Sequence, residues 1–145
     1  MEVDGYAEAL IRLAQAVNHM FGDAGRECGL TTQQAQLLGV LTRGPMGMTE
    51  LSVALNLDRS SVTGLVDRIE RRGLAVRVRD DTDRRAFRAM LTESGDQLAH
   101  AVRDGVVARL YQRFGDLPEP ARHALADLAE TQTTVQEPGA SSRLR

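Results

Sequence analysis

Apolar residues recur at helical spacing in six stretches of this chain and near alternate positions in one more. Leu10, Leu13, Val17, Met20 and Phe21 mark a first amphipathic helix, which Gly22 and Gly25 are expected to end. Thr31 and Gln34 stand at capping-box spacing before a second helix, with Leu37, Leu38 and Leu41 on one face and Gly44 and Pro45 as its stop. "MTELSVALN" predicts a short third helix with Thr49 as N-cap, Leu51, Ala54 and Leu55 as its apolar stripe, and Asn56 as its end. After the turn "NLD", Asp58 caps a fourth helix. Leu57 and Val62 hold the positions of a hydrophobic staple, Val62, Leu65, Val66 and Ile69 form the buried face, and Gly73 stops it. "LAVRVR" and "AFRAML" then predict an antiparallel β-hairpin joined by a charged loop. A long fifth helix from Thr92 carries Leu98, Val102, Val106, Leu110 and Phe114. A sixth starts at Pro118, with Leu125 and Leu128 expected inside.

With 145 residues, 42% of them hydrophobic, the chain is expected to form one domain or one compact unit with helical extensions. No apolar run approaches a membrane span, and "MEVDGYAEAL" is acidic where a signal peptide is basic and then apolar, so a cytoplasmic protein is expected. Cys28 is the only cysteine and has no disulfide partner within the chain. Asp96, His100 and Asp104, like Glu119, His123 and Asp127, share a helix face at fourfold spacing, which surface ion pairing also produces. No metal or other cofactor is expected. Without a Ser/His/Asp order, a Gly-rich phosphate loop or a carboxylate pair in a cleft, neither is an enzyme.

Charge changes the picture. The total is −2 and every basic residue is arginine, yet residues 59–88 hold nine arginines against Asp67, Glu70, Asp80, Asp81 and Asp83. A basic module on an acidic body fits a polyanionic partner. A short helix, a tight turn and a second helix match a helix-turn-helix, whose second helix lies in the DNA major groove. At about 100° per residue, Ser60, Thr63, Gly64, Asp67, Arg68 and Arg71 turn away from the apolar face. Small side chains near the helix start permit close approach to bases and phosphates, Arg59 and Arg68 can reach a phosphate or a guanine, and Arg71 and Arg72 are expected on phosphates. The hairpin that follows makes the module a winged helix. In its loop "VRDDTDRRAF", residues 78–87, arginines suit a narrow minor groove, and an adjacent aspartate can hold one ready.

Residues 48–95, "MTELSVALNLDRSSVTGLVDRIERRGLAVRVRDDTDRRAFRAMLTESG", resemble the winged-helix core of the multiple-antibiotic-resistance regulator (MarR) family. The family's Asp-x-Arg wing pattern falls on Asp83, Arg84 and Arg85. The resemblance implies that Asp83 braces Arg85, that Arg85 enters the minor groove, and that Arg77 of "RGLAVR" contacts the DNA backbone or braces. It also implies the fold: mainly α with a small β-hairpin, a winged helix-turn-helix lobe at 31–92 flanked by dimerisation helices at 1–30 and 93–135, and a disordered tail at 136–145. The expected DNA contacts are Arg59, Ser60, Ser61, Thr63, Gly64, Arg68, Arg77, Asp83, Arg84 and Arg85. The expected partners are double-stranded DNA bearing a pseudo-palindrome, a second copy of the chain, and a small effector such as a phenolic or aromatic acid. Together these describe a ligand-responsive repressor, although the sequence shows no set of pocket residues. Two alternatives stand beside it: redox sensing through Cys28, whose position departs from the family's sensing thiol, and a winged helix used for protein binding.

Overall fold

The computed structural model describes residues 5–135 of the chain. Among them the order is α1 (Gly5–Glu27), α2 (Thr32–Leu41), β1 (Met46–Gly47), α3 (Met48–Leu55), α4 (Arg59–Arg71), β2 (Ala75–Arg79), β3 (Phe87–Leu91), α5 (Glu93–Phe114) and α6 (Glu119–Val135). The expected tail, 136–145, lies outside the described residues.

Local signals explain most helix ends. Thr31 Oγ1 accepts from the Gln34 N–H at 3.2 Å and Gln34 Oε1 from the Thr31 N–H at 3.1 Å, a complete capping box at the start of α2. Gly73, at φ +71°, closes α4 with its N–H on the Glu70 carbonyl while the Leu74 N–H reaches the Ile69 carbonyl, the two bonds of a Schellman motif. Asn56, in the left-handed region at φ 51°, ends α3.

α1 corrects the sequence reading. It runs through Gly22 and Gly25 to Glu27, and the stop is Gly29 at φ +70°, again with both Schellman bonds. Gly25 is buried at a close approach: a Cβ there would stand 3.2 Å from the Ala35 Cβ of α2 and 3.3 Å from the Leu30 carbonyl oxygen. A glycine required for contact between helices carries the same letter as a glycine that breaks one.

Two further corrections concern α3. Its N-cap is Gly47 rather than Thr49, because pairing of β1 brings extended backbone up to Gly47; Glu50 Oε1 then accepts from the Gly47 N–H at 3.5 Å. Leu51 is fully buried and Leu55 half-buried, but Ala54, expected in the apolar stripe, is exposed.

The predicted hairpin pairs Ala75 with Leu91 through Arg79 with Phe87. It is part of a three-stranded antiparallel sheet of order β1-β3-β2, since Met46 and Gly47 pair with Ala89 and Arg88 on the free edge of β3. Two residues are too few to show an alternating pattern in the sequence.

The chain divides into two compact units, one ending at Leu110 and one beginning at Tyr111. The core of the first joins Leu37 and Leu38 of α2, Leu51 of α3, Val62, Val66 and Ile69 of α4 and Val102 of α5, all essentially without solvent contact. Each such side chain contributes about 1.5–3 kcal/mol on burial. In the second unit Leu125 and Leu128, expected inside, are 41% and 52% exposed. A single helix cannot cover its own apolar stripe.

Candidate nucleic-acid interface

At the start of α4, Asp58 gathers the helix end. Its carboxylate accepts from the Ser60 hydroxyl at 2.6 Å, the Ser61 hydroxyl at 2.6 Å and the Ser61 N–H at 2.8 Å. These bonds, the one from Ser60 foremost, hold the Asp58 carboxyl well below the usual carboxylate range. Thr63 Oγ1 donates back to the Arg59 carbonyl at 2.9 Å. The hydroxyls of Ser60, Ser61 and Thr63, all expected DNA contacts, therefore already donate within the chain. Without breaking a bond they offer DNA only lone pairs, which suit the amino groups of cytosine or adenine. Gly64 has open space where a Cβ would stand, so the helix can approach a groove closely there.

Arg59, Arg68 and Arg71 are exposed and have no carboxylate partner among the described residues. Arg72, expected on phosphates, is already engaged within the chain. Its guanidinium donates to the Gly29 carbonyl at 2.8 Å and to Gln34 Oε1 at 3.4 Å, tying the end of α4 to the α1–α2 turn.

Arg77 reaches from β2 to α4, donating to Asp67 with one guanidinium nitrogen and to Glu70 with another. Its pKa is raised, first by the hydrogen bond to Asp67. This bracing is one of the two roles the family resemblance implied, and it latches the base of the wing to α4. It also draws Asp67, expected on the solvent face, into half-burial. Arg77→Ala leaves two carboxylates one helical turn apart without a cation. It should lower stability by about 1 kcal/mol in urea unfolding, a modest figure because Asp67 is 39% exposed and screened by water. DNA affinity should fall as well, and Arg77→Lys should recover only part of either loss.

The wing loop, 80–86, is built by aspartates acting on backbone. Asp80 Oδ1 accepts from the Thr82 N–H at 2.9 Å and its hydroxyl at 2.8 Å, bonds that hold the Asp80 carboxyl low, the N–H foremost. The Asp80 N–H reaches the Ala86 carbonyl at 3.1 Å, and the Ala86 N–H the Asp83 carbonyl at 3.0 Å. Asp83 Oδ1 accepts from the Arg85 backbone N–H at 3.0 Å. The bracing of Arg85 is thus through the main chain rather than through its guanidinium. A short carboxylate reaches an N–H two residues on without strain, forming an Asx turn. Arg84 and Arg85 remain exposed, with no side-chain partner among the described residues.

Sequence reasoning missed Arg88. From β3 it donates to the Pro45 carbonyl at 2.7 Å and lies 3.3 Å from Glu50 and 3.8 Å from Asp80, joining the wing, the β1 turn and the start of α3. The one available signal was an arginine inside the otherwise apolar "AFRAML".

A cleft of about 720 Å³ was equally invisible in the sequence. Phe21, Val40, Leu55 and Val102 supply apolar walls, with Arg43, His100 and Arg103 as polar groups, and the exposed Ala54 faces into it. His100 Nδ1 lies 2.8 Å from the Asp96 carbonyl and 3.5 Å from its carboxylate, a surface pairing that Asp104 does not join. No cluster of His, Cys, Asp or Glu able to hold a metal occurs among the described residues, and no described helix is long and apolar enough to cross a membrane. Cys28 is half-buried against the core, and its basic neighbour Arg26 is ion-paired with Asp23.

Comparison with known proteins agrees with this geometry. The family model described as the MarR family matches residues 29–86, from the turn before α2 through the wing loop. The transcriptional activatory protein BadR of Rhodopseudomonas palustris is 40% identical over 91 residues, 58% of this chain, and the match spans about half of BadR, 52% of its length. The HTH-type transcriptional repressor MdtR of Bacillus subtilis is 30% identical over 114 residues, covering 75% of this chain and 74% of that protein. Among solved structures, CouR from Rhodococcus jostii RHA1 bound to p-coumaroyl-CoA superposes with a TM-score of 0.76 at 26% identity, covering 96% of both chains. From the wing, the capped recognition helix and these likenesses together, the chain belongs to the MarR family.

Proposed function

We propose that this chain is a sequence-specific DNA-binding transcriptional regulator of the cytoplasm, a ligand-responsive repressor that acts as a homodimer on a pseudo-palindromic operator. The observation that carries the reading is the pair of unpartnered arginine sets on one lobe, Arg59 and Arg68 on α4 and Arg84 and Arg85 on the wing, with Arg77 fixing one set relative to the other. α4 enters the major groove, where Ser60, Ser61, Thr63, Gly64 and Arg68 meet bases, and the loop carrying Asp83, Arg84 and Arg85 reaches the adjacent minor groove. Paired carboxylates neutralise Arg77 and Arg88, while Arg59, Arg68, Arg84 and Arg85 have no carboxylate partner among the described residues, so the excess charge is concentrated where phosphates approach.

Dimerisation is supported by apolar side chains exposed near both ends of the described chain: Tyr6, Leu10 and Ile11 on α1, and Tyr111, Leu125 and Leu128 in the second unit. Helices from 1–30 and 93–135 of two copies cover one another, which leaves 31–92 as the DNA-binding lobe. The cleft takes a small effector. Its volume lies in the range of ligand sites, and apolar walls with Arg43, His100 and Arg103 match a phenolic or aromatic acid. The likeness to CouR, a structure bound to p-coumaroyl-CoA, the thioester of a phenolic acid, supports the phenolic part of that class.

The test uses a duplex that the wild-type chain selects from a random pool. Light scattering should give a dimer both free and on DNA, and binding should weaken steeply with salt. A panel of aryl carboxylates should contain members that raise the melting temperature and release the duplex, while the matching alcohols do neither. A monomer that selects no sequence would overturn the reading.

A further inference from the structure

The reading above places α4 in one groove and the wing loop in the next. Whatever joins them must cross the sugar-phosphate ridge between the grooves. Arg79, the last of β2, and Phe87, the first of β3, pair directly across the hairpin where its strands run into the wing loop. Neither belongs to the expected contact set.

Strand alternation puts Arg79 on the same sheet face as Arg77, the face turned to Asp67 and Glu70 of α4, about 6.6 Å further along the strand toward the wing loop. Three arginines lie on the two long strands. Arg77 is held by two carboxylates, and Arg88 lies beside Glu50 and Asp80. Arg79 alone is exposed and has no partner among the described residues. Phe87 opposite it is 47% exposed, although an aromatic residue beginning an apolar strand would ordinarily turn inward.

We propose that Arg79 and Phe87 form a further DNA contact, on the backbone rather than the bases: the Arg79 guanidinium binds a phosphate oxygen at the ridge and the Phe87 ring lies against the neighbouring deoxyribose. The chemistry is matched at each end. A planar guanidinium presents two parallel N–H donors to a phosphate, and an aromatic ring beside it offers an apolar surface to the sugar. Since phosphate and sugar are the same at every step, the contact sets the register of helix and wing on DNA without choosing a sequence. The inference rests on the DNA-binding reading.

Binding is measured for wild type, Arg79→Ala, Arg79→Lys, Phe87→Ala and Phe87→Leu on two probes, the selected duplex and a scrambled one of equal length, at several salt concentrations. Arg79→Ala should weaken both probes alike, roughly tenfold at low salt, and lower the salt slope by about one. Arg79→Lys should keep the slope. Phe87→Ala should weaken both probes with the slope unchanged, and Phe87→Leu less so. Melting temperatures should stay at the wild-type value for both Arg79 variants, because the side chain has no partner among the described residues. Wild-type binding by Arg79→Ala overturns the proposal, as does a loss confined to the selected duplex, which would mean a base contact. If the wild type shifts neither probe, DNA binding itself is overturned and this contact with it.

Discussion

Gly95→Ala should lose about 3 kcal/mol of stability or more, read as a lower midpoint in thermal or urea unfolding, with DNA binding lost alongside. A Cβ at Gly95 would stand 1.9 Å from the Leu74 carbonyl oxygen and 2.8 Å from its carbon. Both are backbone atoms and no rotamer change relieves the overlap. The carbonyl is not free to swing away, since it accepts from the Thr92 N–H at 3.1 Å while Thr92 Oγ1 donates to the Gly73 carbonyl at 2.7 Å and accepts from the Gly95 N–H at 3.1 Å. The start of α5, the end of α4 and the root of β2 meet at this point, so a displacement there shifts the wing relative to the recognition helix. Gly64→Ala is the control. It too is helical, but nothing lies within 4 Å of its would-be Cβ, and alanine there should be neutral or stabilising by up to about 1 kcal/mol. Equal stability of the two variants would refute the packing argument.

The same glycine shows what the sequence makes legible. "LTESG" marks the start of α5 by resemblance, yet the letters do not say that the Gly95 hydrogen is all that fits against Leu74. Features set by residues a few positions apart were readable: the Thr31 box, the Asp58 cap and the Gly73 stop rest on contacts within about one helical turn, and the buried face of α4 on a local periodicity, although what covers it comes from α2, α3 and α5. Features joined by the fold were not. Arg88 meets Pro45 across 43 residues and Arg72 meets Gly29 across the same separation. The cleft needs α1, α2, α3 and α5 at once. Even within the wing the form of the Asp83 bracing was misassigned, because "DRR" fits a side-chain ion pair and a main-chain turn equally well.

That difference in bracing sets the last expected result. Arg85→Ala should weaken binding to the selected duplex by about 1–3 kcal/mol and lower the salt slope by about one, as loss of a minor-groove arginine does. Asp83→Ala should weaken binding too, although it removes a negative charge beside a polyanion. The cause is the turn: without the Asp83 carboxylate the Arg85 N–H loses its 3.0 Å acceptor, and the loop must be ordered on DNA at an entropic cost. Asparagine separates the two forms of bracing. Its side-chain carbonyl still accepts from the Arg85 N–H but cannot pair electrostatically with a guanidinium. Asp83→Asn should therefore bind at least as tightly as wild type, with turn kept and repulsion removed, whereas an ion pair formed on approach to DNA would make asparagine as damaging as alanine. A merely solvated loop makes a third prediction, that alanine and asparagine both tighten binding through plain Coulomb attraction. Titrations of the three proteins at two salt concentrations distinguish all three cases by sign alone.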